Sequence, residues 1–169
     1  MIIRRNEARG TRSEAIYSEC GHYRYLLERR WGGGGVCCYI LLNPSTATEE
    51  RNDPTIERCE RRARAMGFGG FAVANLFAYR ATVPADLKRT AEPIGSENDA
   101  TLLEAARGAR MVLCGWGVHG AHLNRGPQVE ARLRETGVAL WQLGLTRDGH
   151  PRHPLYVGYA RGPEIWPGG

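Results

Sequence analysis

The chain has 169 residues, 42% hydrophobic and 24% charged, proportions of a globular domain long enough to bury a core and unlike those of a disordered or fibrous chain. No apolar run approaches the ~20 residues of a membrane span, and Met1-Ile2-Ile3-Arg4-Arg5 lacks the apolar segment of a secretory signal, so a cytoplasmic protein is expected. The net charge is +5, with Lys88 the only lysine among 23 basic residues. Arginine forks onto phosphate in a bidentate way, so this balance is compatible with a nucleic-acid partner; a GC-rich coding sequence biases composition in the same direction.

Residues 1–12 are polar and basic and read as an arm or first strand. Ala15 to Ser18 and Tyr23 to Trp31, separated by Glu19-Cys20-Gly21-His22, read as a β-hairpin. Gly32 to Gly35 is a flexible tip. Val36 to Leu42 is a continuous apolar run that stops at Asn43-Pro44, the mark of a strand buried on both faces. Thr46 to Asn52 is a polar loop. Asp53 and Pro54 then open a helix as N-cap and first helical residue. That helix runs to about Met66, with Ile56, Cys59, Ala63 and Met66 on its apolar face and Arg58, Arg61, Arg62 and Arg64 on the other.

Phe71 to Leu76 is a second buried strand, ending on Asn75. A helix containing Leu102, Leu103 and Ala106 follows, and Arg110 to Gly117 forms a third strand with its exit loop. Gly126-Pro127 precedes a helix with Val129 and Leu133, and Val138 to Leu143 is the fourth strand. The tail, 157–169, is rich in Gly and Pro and is expected to fray. Strands alternating with helices imply a parallel sheet. The expectation is one α/β domain over 1–169: a three-layer sandwich around a central, mostly parallel four-stranded sheet. An N-terminal β-hairpin extension, 1–35, is attached at its edge.

Polar residues of unusual type gather at the strand exits. Asn43, Ser45 and Thr46 follow the first buried strand; Asn75, Phe77, Tyr79 and Arg80 the second; Trp116 and His119 the third; His150, Arg152 and His153 the fourth. In a parallel sheet these exits share one edge, where ligands of open α/β sheets bind. There is no phosphate-cradling Gly-x-x-x-x-Gly-Lys and no Gly-x-Gly-x-x-Gly after a strand. The five cysteines form no Cys-x-x-Cys, and Cys37, Cys38 and Cys114 read as small buried hydrophobes. Only Asp148 accompanies His119, His122, His150 and His153 as a nearby carboxylate, so neither a metal nor a cofactor is expected.

Three strings carry a resemblance: Leu42-Asn43-Pro44-Ser45-Thr46-Ala47, Asn75 to Thr82, and Gly144 to Tyr156. With the Ser18 to Tyr25 hairpin, they resemble a bacterial and phage family catalogued as domain of unknown function 1643. The order of motifs is more distantly similar to the uracil-DNA glycosylase superfamily, in which Asn-Pro or Asp-Pro follows the first core strand, Asn ends the second, and His-Pro follows the fourth. This likeness implies that Asn43 orients the attacking water, that Asn75 reads the base edge with Ser45 and Thr46 nearby, and that Phe77, Tyr79 or Trp116 stacks on a flipped base. It further implies that His150 or His153 stabilises the departing base and that Arg80, Arg147 and Arg152 hold phosphate. The chain departs from the pattern at Leu42, where Gly is usual, and after each His-Pro, where Arg152 or Leu155 replaces Ser.

The function so implied is a DNA glycosylase-like hydrolase that recognises a flipped, possibly modified, base. Two alternatives stay open: an enzyme acting on a free nucleoside or nucleotide, and a non-catalytic nucleic-acid-binding module on the same fold.

Overall fold

The computed structural model describes residues 1–168. Strands β1 (Ile2–Ala8), β2 (Thr11–Tyr17) and β3 (Arg24–Arg30) form an antiparallel meander. They are followed by β4 (Val36–Leu41), α1 (Pro54–Ala65), β5 (Gly70–Asn75), α2 (Pro84–Arg89), α3 (Asn98–Arg107), β6 (Met111–Cys114), α4 (Arg125–Glu135), β7 (Leu140–Gln142) and β8 (Glu164–Ile165). The strands make one sheet in the order β1-β2-β3-β5-β4-β6-β7-β8.

This sheet corrects the expected architecture. It is a mixed eight-stranded sheet, not a mostly parallel four-stranded one with a hairpin at its margin. Parallel pairing is confined to β5-β4, β4-β6 and β6-β7. The cause lies at the two flanks. All six residues of β5 are buried, and an apolar edge of that kind must be paired or covered. Strand β3 pairs antiparallel with it, Leu27 opposite Val73. At the other flank β8 pairs with β7, Trp141 opposite Ile165. Val157 and Trp166 are buried, and Trp166 N–H donates to the Leu140 carbonyl at 2.7 Å. Within residues 157–168 the segment expected to fray is anchored at these two points, and Gly169 lies outside the described residues.

Strand β4 is buried along its whole length because both its faces are covered. Cys37, Tyr39 and Leu41 pack with Ile56, Cys59 and Ala63 of α1. Cys38, Ile40 and Leu42 pack with Leu102 and Ala106 of α3 and with Val129 and Leu133 of α4. The chain moves from β4 through α1 to β5 on one side, then crosses by α3 to β6 on the other. Strand order therefore reverses between β4 and β6, and the carboxyl ends of these two strands open a crevice.

Helix α1 begins as its sequence dictates: Asp53 Oδ1 accepts from Ile56 N–H at 2.9 Å, with Pro54 next in line. Its polar face is not wholly solvated, however. Arg62 is buried and donates to the carbonyls of Arg161, at 2.6 Å, and Gly158, at 3.2 Å. The stem covers apolar surface while the guanidinium satisfies backbone of the tail.

The loop between Asn43 and α1 has no regular structure, yet two buried arginines of β3 hold it. Arg24 Nη1 donates to the Ala47 carbonyl at 2.9 Å. Arg29 Nη2 donates to the carbonyls of Thr48 (2.8 Å) and Arg51 (3.1 Å), and Arg29 Nε and Nη2 both reach Asn52 Oδ1. From the other side, Asp53 Oδ2 accepts from Ala47 N–H at 3.1 Å, and the Tyr17 hydroxyl donates to Glu49. Burial pulls Arg24 down to about 10, with the Asp53 carboxylate opposing the shift, so the guanidinium stays charged at neutral pH.

Replacing Arg29 with Met keeps the buried stem and removes the donors that Arg29 gives this loop, leaving that of Arg24. Leaving several buried carbonyls unpaired costs about 3 kcal/mol. Urea unfolding of Arg29→Met is expected to show that loss as a lowered midpoint at unchanged slope.

Candidate active site

A cleft of about 350 Å³ lies at the crevice between β4 and β6. The segments that follow all four parallel strands contribute residues: Leu42 and Asn43 after β4, Ala81 and Thr82 after β5, Trp116 and His119 after β6, Arg152 and His153 after β7.

Asn43 is fixed by the backbone of the neighbouring exit. Its Nδ2 donates to the Ala81 carbonyl at 2.8 Å and the Pro44 carbonyl at 3.0 Å, while Ala81 N–H donates to the Pro44 carbonyl at 3.0 Å. Both partners of the amide nitrogen are acceptors, so the orientation of the amide is determined. Oδ1 accepts no hydrogen bond among the described residues and is left for the cleft, an acceptor suited to a water or a donor group.

His153 reaches the cleft on a segment that packs against the exit of β6. A Cβ on Gly115 would lie 2.9 Å from Pro154 Cδ and 3.1 Å from the Arg152 carbonyl, so only glycine lets the two backbones approach this closely. Gly117 N–H donates to the Pro151 carbonyl at 2.8 Å and completes the contact. His153 caps the short 3₁₀ turn Pro154–Tyr156: its Nδ1 accepts from Leu155 N–H at 3.2 Å. Burial lowers His153 to about 4, and the Asp53 carboxylate only partly opposes this. The imidazole is neutral at pH 7, and with Nδ1 accepting, its proton resides on Nε2. His119, on the same cleft, is also shifted down, by burial first and then by the Lys88 charge.

Of the residues singled out from the sequence, Asn43, Ser45, Trp116, Arg152 and His153 surround this cleft. Trp116 forms a wall: it is 2% exposed, and its ring lies 5.7 Å from that of Trp166. Arg152 donates to the Tyr156 carbonyl at 3.2 Å. Tyr79 and Arg80 line an adjoining groove that shares Ser45, Ala81 and Thr82 with the cleft.

The remaining candidates are not brought to the cleft. Asn75 and Phe77 are buried. Leu76 N–H donates to the Leu41 carbonyl and Phe77 N–H to the Leu42 carbonyl; backbone pairing thus runs past the end of β5 and keeps these side chains in the core. The Asn75 carbonyl accepts from Asn98 Nδ2 at 2.8 Å, and Phe77 packs 5.5 Å from His122. Thr46 and Arg147 are exposed and do not line the cleft, although their neighbours Ser45 and Thr146 do. His150 belongs to a small turn closed by Thr146, whose hydroxyl accepts from His150 N–H, so of the two His-Pro pairs it is His153-Pro154 that faces the cleft.

Sequence reasoning passed over Thr55, Thr146 and Tyr156, which also line it. Tyr156 is 74% exposed, its ring 5.9 Å from that of His153; the one cue to it was its position three residues past His153. Among the described residues no group of three or more His, Cys, Asp or Glu could hold a metal ion, and no helix is long and apolar enough to cross a membrane.

The neutral His153 makes a distinct stability prediction. Its native pKa lies below that of the unfolded chain, about 6.5. Between these values the unfolded chain binds a proton that the native state refuses, so stability is full above about pH 6.5 and falls as pH drops toward 4. A His153→Gln variant lacks this dependence. Its stability deficit relative to the parent protein, measured by urea unfolding, is expected to shrink by on the order of 2 kcal/mol between pH 7 and pH 4.5.

Comparison with known proteins adds the family. Neither a curated protein nor a solved structure matches the chain. A family model described as a protein of unknown function, DUF1643, matches residues 24–155. That span begins at Arg24, which grips the loop after Asn43, and ends at Leu155, whose N–H fixes the His153 tautomer. The chain belongs to the DUF1643 family.

Proposed function

We propose that the cleft takes a base turned out of a DNA strand and that the protein hydrolyses its N-glycosidic bond. One observation carries this reading: a free amide oxygen on Asn43 and a neutral imidazole on His153 line the same cleft at the point where strand order reverses. The four consecutive parallel strands, covered by helices on both faces, support the likeness to the uracil-DNA glycosylase superfamily.

The chemistry needs these two groups. The bond between C1′ and the base nitrogen breaks with its electron pair leaving on the base, and the sugar becomes oxocarbenium-like. A water whose hydrogen is held by Asn43 Oδ1 adds to C1′. A neutral amide is a poor base, so the water gives up its proton to solvent as the C–O bond forms. The larger demand is the negative charge on the departing base. His153 meets it with a hydrogen bond from Nε2–H. A neutral imidazole still donates from Nε2–H, with no buried cation to desolvate, and a partly dry site strengthens the bond. The expelled base takes its proton from solvent. A base leaving the stack costs a few kcal/mol, in part returned by contact with aromatic and apolar walls, here Trp116, Leu42 and the exposed Tyr156.

The test is direct. The protein is incubated with oligonucleotides carrying uracil, mismatched thymine or hypermodified pyrimidines, and alkali-labile abasic sites are measured. Base release is expected on at least one of these. Asn43→Ala and His153→Gln should each lower the single-turnover rate by about 10²-fold, the scale of a lost preorganised contact in the transition state. Absence of release from every substrate, or unaltered rates in both variants, overturns the reading.

A further inference from the structure

The cleft is not an isolated hole. It opens through Ser45, Ala81 and Thr82 into a groove of about 500 Å³ that also holds Tyr79, Arg80, Arg89 and Thr90. Arg80 lines a further groove beyond, beside Tyr17 and the turn at Gly21. It therefore stands at the seam of two grooves, one of which joins the cleft.

Its side chain is held in place. Arg80 Nη1 donates to the Gly21 carbonyl at 3.2 Å, Arg80 N–H donates to the His22 carbonyl at 2.9 Å, and the guanidinium lies 5.4 Å from the centre of the Tyr17 ring. Among the described residues it makes no ion pair, whereas its neighbour in the groove, Arg89, is paired with Asp86 at 2.8 Å. A half-buried guanidinium that is immobilised and without a carboxylate partner keeps Nε–H and Nη2–H donors, beyond the Nη1 bond to Gly21, that no group among the described residues accepts. Such a group suits a phosphate oxygen, since the ordering of the side chain is complete before the ligand arrives. The Ser45 hydroxyl in the same groove is a further donor to an anion.

We infer that the groove beside the cleft seats the sugar–phosphate backbone next to the extruded base, with Arg80 as the anchor for a phosphate. The substrate is then a polynucleotide and not a free nucleoside. This rests on the reading of the cleft as a base-binding site.

The test uses the full chain and a fluorescein-labelled single-stranded deoxyoligonucleotide of 12 residues with a central uracil, with free deoxyuridine as competitor. Anisotropy is recorded over a range of salt. The oligonucleotide is expected to bind, and deoxyuridine to compete poorly. Arg80→Gln should weaken binding about tenfold and reduce the slope of log K against log salt by about 1, the signature of one lost phosphate contact. Arg80→Lys, which keeps the charge and loses the fork, should retain the slope and regain part of the affinity. Arg61→Gln removes the same charge from an exposed helix face where Arg61 pairs with Glu57, and should leave both quantities close to those of the parent. Thermal unfolding of each variant excludes misfolding as the cause.

Equal effects of Arg80→Gln and Arg61→Gln, or competition by deoxyuridine as strong as by unlabelled oligonucleotide, overturn the backbone groove. Base release from oligonucleotides in that case leaves the glycosidic reading standing. Failure of both the oligonucleotide and the nucleoside to bind overturns the two together.

Discussion

Two buried guanidiniums on β3 decide the shape of the candidate site. The loop from Thr46 to Asn52 lacks helix or strand, and its carbonyls need donors. Arg24 and Arg29 supply them from within, at 2.8–3.1 Å for the Ala47, Thr48 and Arg51 carbonyls. Arginine suits this task because one planar group carries several N–H donors in fixed directions and keeps its charge when buried. Lysine would place a single, more strongly hydrated centre there. With the loop held, Asp53 is set to cap α1 and to receive Ala47 N–H. The chain leaving Asn43 then has one path.

The same economy governs the two polar groups of the cleft, Asn43 and His153. Neither Asn43 nor His153 is positioned by a dedicated side-chain partner. Asn43 is oriented by two carbonyls and His153 by one backbone N–H. Backbone at strand exits is held by the sheet itself, so the orienting groups inherit the rigidity of the core. His153 is kept neutral chiefly by burial, which makes the packing of Pro154 on Gly115 an electrostatic matter as well as a steric one.

Local signals in the sequence were the most readable. Asp53-Pro54 marks the start of α1 because capping is a short-range interaction. The run from Val36 to Leu42 announces a doubly covered strand, and Asn43-Pro44 its end. Sheet extent was harder to read, because nothing within β3 states that its partner is β5, more than 40 residues on. Arg24, Arg29 and Arg62 look like surface residues by type. Their burial depends on carbonyls presented by distant loops, which periodicity does not encode. Asn75 and Phe77 failed to reach the cleft for a related reason: strand pairing continues one step further than the hydrophobic pattern suggests. Tyr156 was invisible because exposure to a cleft and exposure to bulk water look alike in a sequence.

The position of β3 bears on how the site comes into being. It pairs with β5, and β5 separates it from β4, the strand that delivers Asn43. The loop after Asn43 therefore cannot be gripped until β3 and β5 have closed a long excursion of chain, a slow event in which loop entropy is lost before contacts form. The cleft is therefore completed late, together with the sheet and not ahead of it.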